Sequence, residues 1–186
     1  EVKPTSTLFY RQQHNNFSFT TTLQYVPKTE KDLAGITCVQ SEKFNYVFGL
    51  TKKDKDFYMV LERTARGKSG LVASAKVDVK NPIQLRVKGE GDGYGFYYST
   101  DGTDFVQLGN TVPGDILSTN VAGGFTGCLI GLYATSANDI VVNNLKDAYA
   151  DYFTVGCAIN MANLNSPQQM ALITSNFNSI TAENDM

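Results

Sequence analysis

Tyr94-Gly-Phe-Tyr-Tyr-Ser-Thr-Asp-Gly-Thr-Asp-Phe-Val-Gln-Leu-Gly109 decides the fold: two strand-like runs flank Asp101-Gly102. That pair readily supplies the positive φ of a tight hairpin. Moving upstream, Ile83 to Val87, Leu71 to Val79, Phe57 to Leu61 and Phe44 to Leu50 are short runs rich in aromatic and β-branched residues. Polar residues or Gly/Pro punctuation separate most of them, as expected of strands. Further back, Phe17, Phe19, Thr21, Leu23 and Tyr25 fall on alternate positions, with Ser18, Thr20, Thr22 and Gln24 between them. This period of two predicts a strand with one buried face, which Pro27 stops. Downstream, the apolar run Gly127 to Ala134 reads as a strand buried on both faces. Many short strands at close spacing, with no helical stretch between them, predict an all-β antiparallel sandwich.

After about residue 140 the pattern changes. Phe153-Thr-Val-Gly-Cys-Ala-Ile-Asn160 is a continuous apolar strand of the kind found in parallel sheets. Ser166-Pro-Gln-Gln169 reads as a helix start, with Ser at the N-cap, Pro at the first position and Gln completing a capping box. Met170, Ile173 and Phe177 recur at helical spacing on one face. Ser179 to Asn184 resumes a strand, so the tail is β-α-β, an incomplete opening of an α/β fold. The start, Glu1-Val-Lys-Pro, reads as a cut between domains.

The 186 residues fit one domain comfortably and two full domains poorly. With 42% hydrophobic and 18% charged residues the chain can bury an ordinary core. A net charge of -2 and the lack of a basic stripe predict no nucleic-acid partner. The densest basic run, Lys52, Lys53 and Lys55, is broken by Asp54 and Asp56 and reads as a solvated loop. No stretch approaches the roughly 18 apolar residues of a membrane span, so no membrane partner is expected. Cys38, Cys128 and Cys157 are odd in number and unpaired in spacing, which argues for buried thiols over disulfides or zinc. His14 is the only histidine, so multi-histidine metal sites are excluded, and no metal or cofactor is expected. No Ser or Asp accompanies His14 at motif spacing, and it reads as structural rather than as a general base. Arg11 and His14 either pair with a neighbouring domain or face solvent. Glu90, Asp92 and Asp101 lie near glycines but lack the regular spacing of a calcium loop, so they read as solvated turns. Asn16-Phe17-Ser18 has the form of a glycosylation sequon.

Two stretches also resemble known families. Phe9-Tyr-Arg-Gln-Gln-His14, Phe17 to Leu23 leading to Pro27, Ala34-Gly35, Tyr97 to Gly102, Leu108-Gly109, and Ala122-Gly-Gly-Phe-Thr-Gly127 leading into Ile130 to Tyr133 occur in an order similar to one such family. It is the C-terminal concanavalin-A-like sandwich of family 43 glycoside hydrolases, the β-xylosidase and α-arabinofuranosidase group. Phe105 departs from that pattern, which usually has tryptophan there. Leu145 to Phe153, Val155-Gly156 and especially Phe177-Asn-Ser-Ile-Thr-Ala-Glu-Asn-Asp-Met186 resemble the N-terminus of a family 10 endo-β-1,4-xylanase. The border falls between about residues 138 and 152, and we set it so that 1–144 is the sandwich and 145–186 the start of a (β/α)8 barrel.

The resemblance implies a jelly-roll sandwich, fused to a truncated barrel, from a secreted or periplasmic xylan-degrading enzyme. It also implies that this segment holds no complete catalytic site. Family 43 carboxylates lie on a propeller that would precede Glu1, and family 10 glutamates on barrel strands that would follow Met186. Its partners would be that propeller and xylan or xylo-oligosaccharide. Gly123 to Gly127, including Gly124, Phe125 and Thr126, is the segment that would reach the rim of the propeller's pocket. There Phe125 would lie against a pyranose face; the other reading makes Phe125 core and the glycines a simple turn. Glu183 and Asn184 match family 10 positions that hydrogen-bond a bound xylose. Three roles stay open at this point: an accessory domain completing a catalytic propeller, a stand-alone carbohydrate-binding module for xylan, and a structural spacer. The absence of tryptophan weighs modestly against the module, although any of the ten tyrosines could substitute.

Overall fold

Alternation puts every second side chain of a strand on one face, and burial along most of these strands follows it. The computed structural model describes residues 5–79, 82–125, 127–136, 144–148 and 154–182. The chain divides into two units, 1–138 and 139–186.

The first unit is an antiparallel sandwich. Its strands are β1 (Thr5–Arg11), β2 (Phe17–Leu23), β3 (Leu33–Ser41), β4 (Phe44–Lys53), β5 (Asp56–Ala65), β6 (Lys68–Val77), β7 (Ile83–Glu90), β8 (Gly93–Ser99), β9 (Val106–Gln107), β10 (Val112–Pro113) and β11 (Leu129–Thr135). A 3₁₀ turn (Asp115–Leu117) and helix α1 (Thr119–Ala122) precede β11. One sheet runs β1-β11-β3-β4-β5-β6 and the other β10-β8-β7-β2, with β9 also on β8. The predicted antiparallel β-sandwich is thus met, and β1, the first strand of this unit, pairs with β11, its last.

The core lies between the sheets. Ile36, Cys38, Phe48, Leu61, Leu85, Val87 and Phe96 are fully buried. Phe96 of one sheet packs against Tyr46 and Phe48 of the other, at centroid distances of 5.8 and 5.4 Å. Tyr46 is buried too, and its hydroxyl donates to Pro113 O at 2.9 Å. Burial lifts its phenol to a pKa of about 12. The thiols fit the sequence reading in part: Cys38 is buried, whereas Cys128 and Cys157 are half-buried, and none is in a disulfide. Burial raises Cys38 well above the usual thiol range and Cys128 to about 11.

Several expectations are corrected. The β8–β9 connection is not a two-residue hairpin, because pairing ends at Tyr98 with Val106. Asp101 gathers the intervening chain instead: its Oδ1 accepts from Ser99 Oγ, Thr103 N, Thr103 Oγ1 and Asp104 N. Only Gly102 of the pair takes a positive φ, 83°. The run Gly127 to Ala134 is a strand from Leu129, yet it is not buried on both faces, since Leu132 is 39% exposed. The strand expected over Phe153 to Asn160 is shorter, Gly156–Ile159, with Phe153 outside the described residues. The Lys52–Asp56 run, by contrast, is the β4–β5 turn, with Lys53 to Lys55 exposed.

The second unit contains α2 (Leu145–Ala148), β12 (Gly156–Ile159), α3 (Met161–Leu164), α4 (Pro167–Asn176) and β13 (Ser179–Ala182). β12 and β13 are parallel, which gives the predicted β-α-β order. Ser166 caps α4 by accepting from Gln169 N, and Pro167 occupies the first turn. Gln169 does not close the box. Its Oε1 accepts from Asn163 Nδ2, and the reciprocal box forms at Asn160 and Asn163 on α3. Val155, Met170, Ile173 and Phe177 are half-buried and Ile159 buried, whereas Leu172 is 63% exposed.

Candidate functional site

Four separated segments meet at one end of the sandwich, and each is there because a strand ends beside it. They are the β1–β2 connection (Gln12 to Asn15), the β7–β8 turn with Tyr94, the segment from Gly114 to Thr119, and Gly127-Cys128 before β11. Together they enclose a cleft of about 310 Å³.

Hydrogen bonds tie its walls together. Gln12 N donates to Cys128 O, and Tyr94 Oη donates to Gln12 Oε1 at 2.6 Å. Gly114 N donates to Asp92 O, and Gly91 N donates to Asn16 Oδ1. The floor is electrically neutral at physiological pH. Burial drives the Tyr94 phenol far above its ordinary range, and the Cys128 thiol is raised to about 11. His14, Asp92 and Asp115 stand exposed on the walls. Such a lining can hydrogen-bond a hydroxylated ligand but offers no thiolate or phenolate nucleophile.

Beside the cleft, α1 ends at Gly123, where the chain turns sharply. Gly123 has φ 75° and Gly124 φ 76°, a left-handed pair that side chains with a Cβ rarely adopt. Gln40 Nε2 donates to Gly123 O and so holds the base of the turn. A Cβ on Gly124 would come within 2.9 Å of that same nitrogen. Among the described residues, the buried Gln40 Oε1 has no donor. Beyond this anchor Phe125 stands wholly in solvent, at 102% relative exposure. The core reading of Phe125 is therefore excluded by the geometry.

Of the residues picked out from the sequence, Gly124 and Phe125 are thus located, whereas Thr126, Glu183 and Asn184 lie outside the described residues. His14 lines the cleft, and Asp101 serves its own loop. Asp115, Ser118 and Thr119 in the cleft, and Gln40 at the base of the Gly123 turn, carry no sequence signal of their own.

The comparisons agree with this architecture. Residues 1–156 match the Beta xylosidase C-terminal Concanavalin A-like domain, and the chain belongs to that family. Residues 144–186 match Glycosyl hydrolase family 10. The chain is similar to the crystal structure of a GH43_12 retrieved from capybara gut metagenome, at TM-score 0.65 and 38% identity, covering 69% of this chain and 25% of that one. It is 24% identical over 147 residues to a non-reducing end alpha-L-arabinofuranosidase of Bacteroides ovatus, covering 79% of this chain and 27% of that protein. Over 40 residues it is 60% identical to an endo-1,4-beta-xylanase/feruloyl esterase of Xylanibacter ruminicola, 22% of this chain and 6% of that protein. The chain thus spans about a quarter or less of each relative.

Proposed function

We propose that the sandwich is a non-catalytic accessory domain of a xylan-degrading glycoside hydrolase, in which β-xylosidase or α-arabinofuranosidase activity is linked to an endo-xylanase. In this reading it packs on a catalytic propeller of the same polypeptide, and the Gly123–Gly127 segment lends Phe125 to the rim of the active site. Residues 1–144 form the accessory domain and 145–186 the opening of a xylanase barrel, with Glu183 and Asn184 contacting xylose once that barrel is whole. The polypeptide acts outside the cytoplasm, secreted or periplasmic, on xylan or xylo-oligosaccharide.

The observation that carries the proposal is Phe125 itself. An aromatic ring at 102% exposure, held on a left-handed glycine pair anchored by Gln40, forgoes about 1.5–3 kcal/mol of burial that the core would return. Such a ring gains that energy when another surface covers it. Two family matches that meet and overlap at 144–156 support the fused arrangement.

The test is kinetic. In the longer polypeptide that this reading requires, Phe125→Ala is expected to lower kcat/KM on aryl xyloside or arabinofuranoside by about tenfold, the loss of roughly 1.4 kcal/mol of stacking in a dry pocket. Xylanase turnover by the barrel serves as the internal control and stays unchanged. Equal kcat/KM for variant and parent would refute the assignment of the loop.

A further inference from the structure

The outer face of the smaller sheet carries aromatic and basic side chains in adjacent rows. The pairing register sets Thr20, Arg86, Tyr97 and Gln107 side by side in one row across β2, β7, β8 and β9. In the adjacent row Lys88 lies opposite Gly95. These positions alternate with Leu85, Val87 and Phe96, which point into the core.

Two features make this row a platform. A Cβ on Gly95 would meet Tyr97 Cε2 at 2.7 Å and Tyr97 Oη at 2.8 Å, so the tyrosine ring lies down over the glycine instead of standing off the sheet. Tyr97 as a whole is half-buried, so part of its ring stays open to solvent. Arg86 is fixed as well: its guanidinium carbon sits 3.6 Å from the Phe105 ring centroid, and its Nε donates to Thr20 Oγ1 at 3.0 Å. Lys88 Nζ lies 5.5 Å from the centroid of Tyr97. Neither cation has a carboxylate partner among the described residues, although the whole chain carries a net charge of -2. Glu90 stands at the end of β7, two residues beyond Lys88.

We infer that this face binds an acidic polysaccharide, a β-linked pyranose chain bearing uronic acid groups, with one sugar stacked on Tyr97 and carboxylates received by Lys88 and Arg86. Sugar rings stack on flat aromatic faces through their C–H groups. A preordered guanidinium beside an ammonium recognises a carboxylate through charge-assisted hydrogen bonds. Thr20 and Gln107 supply hydroxyl and amide partners for sugar hydroxyls in the same row. The site is separate from Phe125 and does not depend on the accessory role proposed above.

Affinity electrophoresis of the 186-residue chain tests it, in gels containing glucuronoxylan or the same polymer after carboxyl reduction. Glucuronoxylan is expected to retard the protein, with apparent affinity about tenfold weaker for Tyr97→Ala, and for the parent chain in about 0.5 M salt, where exposed charge pairs are screened. The carboxyl-reduced polymer and Lys88→Gln each lose several-fold. Lys88→Gln, at an exposed amine, keeps the test valid where Tyr97→Ala unfolds, as thermal melts of both will show. Absence of retardation, or equal retardation by both polymers, overturns the inference. So does binding that survives both sheet-face substitutions, or that is lost only with Phe125→Ala; the last result would place the sugar on the loop.

Discussion

Removing the same benzyl group from two places should have opposite consequences. Phe96 is fully buried and meets Tyr46 and Phe48 across the sandwich at 5.8 and 5.4 Å, so its truncation opens a void where both sheets lean. Large-to-small changes of this kind cost about 3–5 kcal/mol, with about 0.5–1.5 kcal/mol of that from each ring pair. Against a domain stability of about 5–15 kcal/mol, this is between a fifth and the whole of the margin. Phe125, at 102% exposure, has no packing to lose, and Phe125→Ala should stay within about 0.5 kcal/mol. Urea unfolding followed by tyrosine circular dichroism reads both, since the chain has ten tyrosines and no tryptophan. The midpoint should move for Phe96→Ala with little change in slope, and stay put for Phe125→Ala. A loss below about 1 kcal/mol at Phe96, or above about 1 kcal/mol at Phe125, would refute the placement of the two rings.

Two further predictions concern carboxylates. Backbone N–H bonds from Thr103 and Asp104, then the Ser99 hydroxyl, hold Asp101 well below the ordinary carboxylate range. A depressed folded-state pKa stabilises above the unfolded value of about 3.9 and is lost as pH falls below it. The stability gap between parent and Asp101→Asn should therefore be full at pH 6 and shrink below about pH 4; an equal gap in thermal melts at pH 6 and 3 would count against this. Asp32 is 2% exposed and accepts from Lys28 N, Thr29 N, Thr29 Oγ1 and Ser136 Oγ. Asp32→Ala leaves these donors unserved and should cost about 2–4 kcal/mol in the same melts. A change under about 0.5 kcal/mol would show that water replaces the carboxylate.

The legible parts of the chain were those in which one strand shows its own pattern. Phe17 to Leu23 alternates, and half-buried and exposed positions alternate with it. Ser166-Pro167 marks a helix start because capping is local chemistry. β3 and β1 gave no comparable signal. In β3, Gly35 faces Gly49 of β4, and a Cβ on Gly35 would fall 2.2 Å from Phe48 O, so a buried strand carries glycine where propensity asks for a branched residue. β1 is exposed along its whole length, so no buried face imprints a period. The Asp101 loop was misjudged because Asp-Gly suits a two-residue turn, whereas the carboxylate's reach for Thr103 and Asp104 made a longer one. The glycines before Phe125 announced a turn but left open whether its ring is core or exposed. The cleft was not, since its walls come from four segments and their meeting is a property of strand order.

That order also sets a timetable for synthesis. β3 to β6 pair with successive neighbours through short turns, so they can assemble as soon as they leave the ribosome. β11 is inserted between β1 and β3, with Thr135 opposite both Thr5 and Leu33. Until Leu129–Thr135 emerges, β3 keeps one edge of unmet amides and carbonyls, and β1 has no place to dock. From the synthesis of β3 until that of β11, two strands therefore wait for the same late arrival. During that interval the open edge of β3 is the surface a chaperone would have to guard.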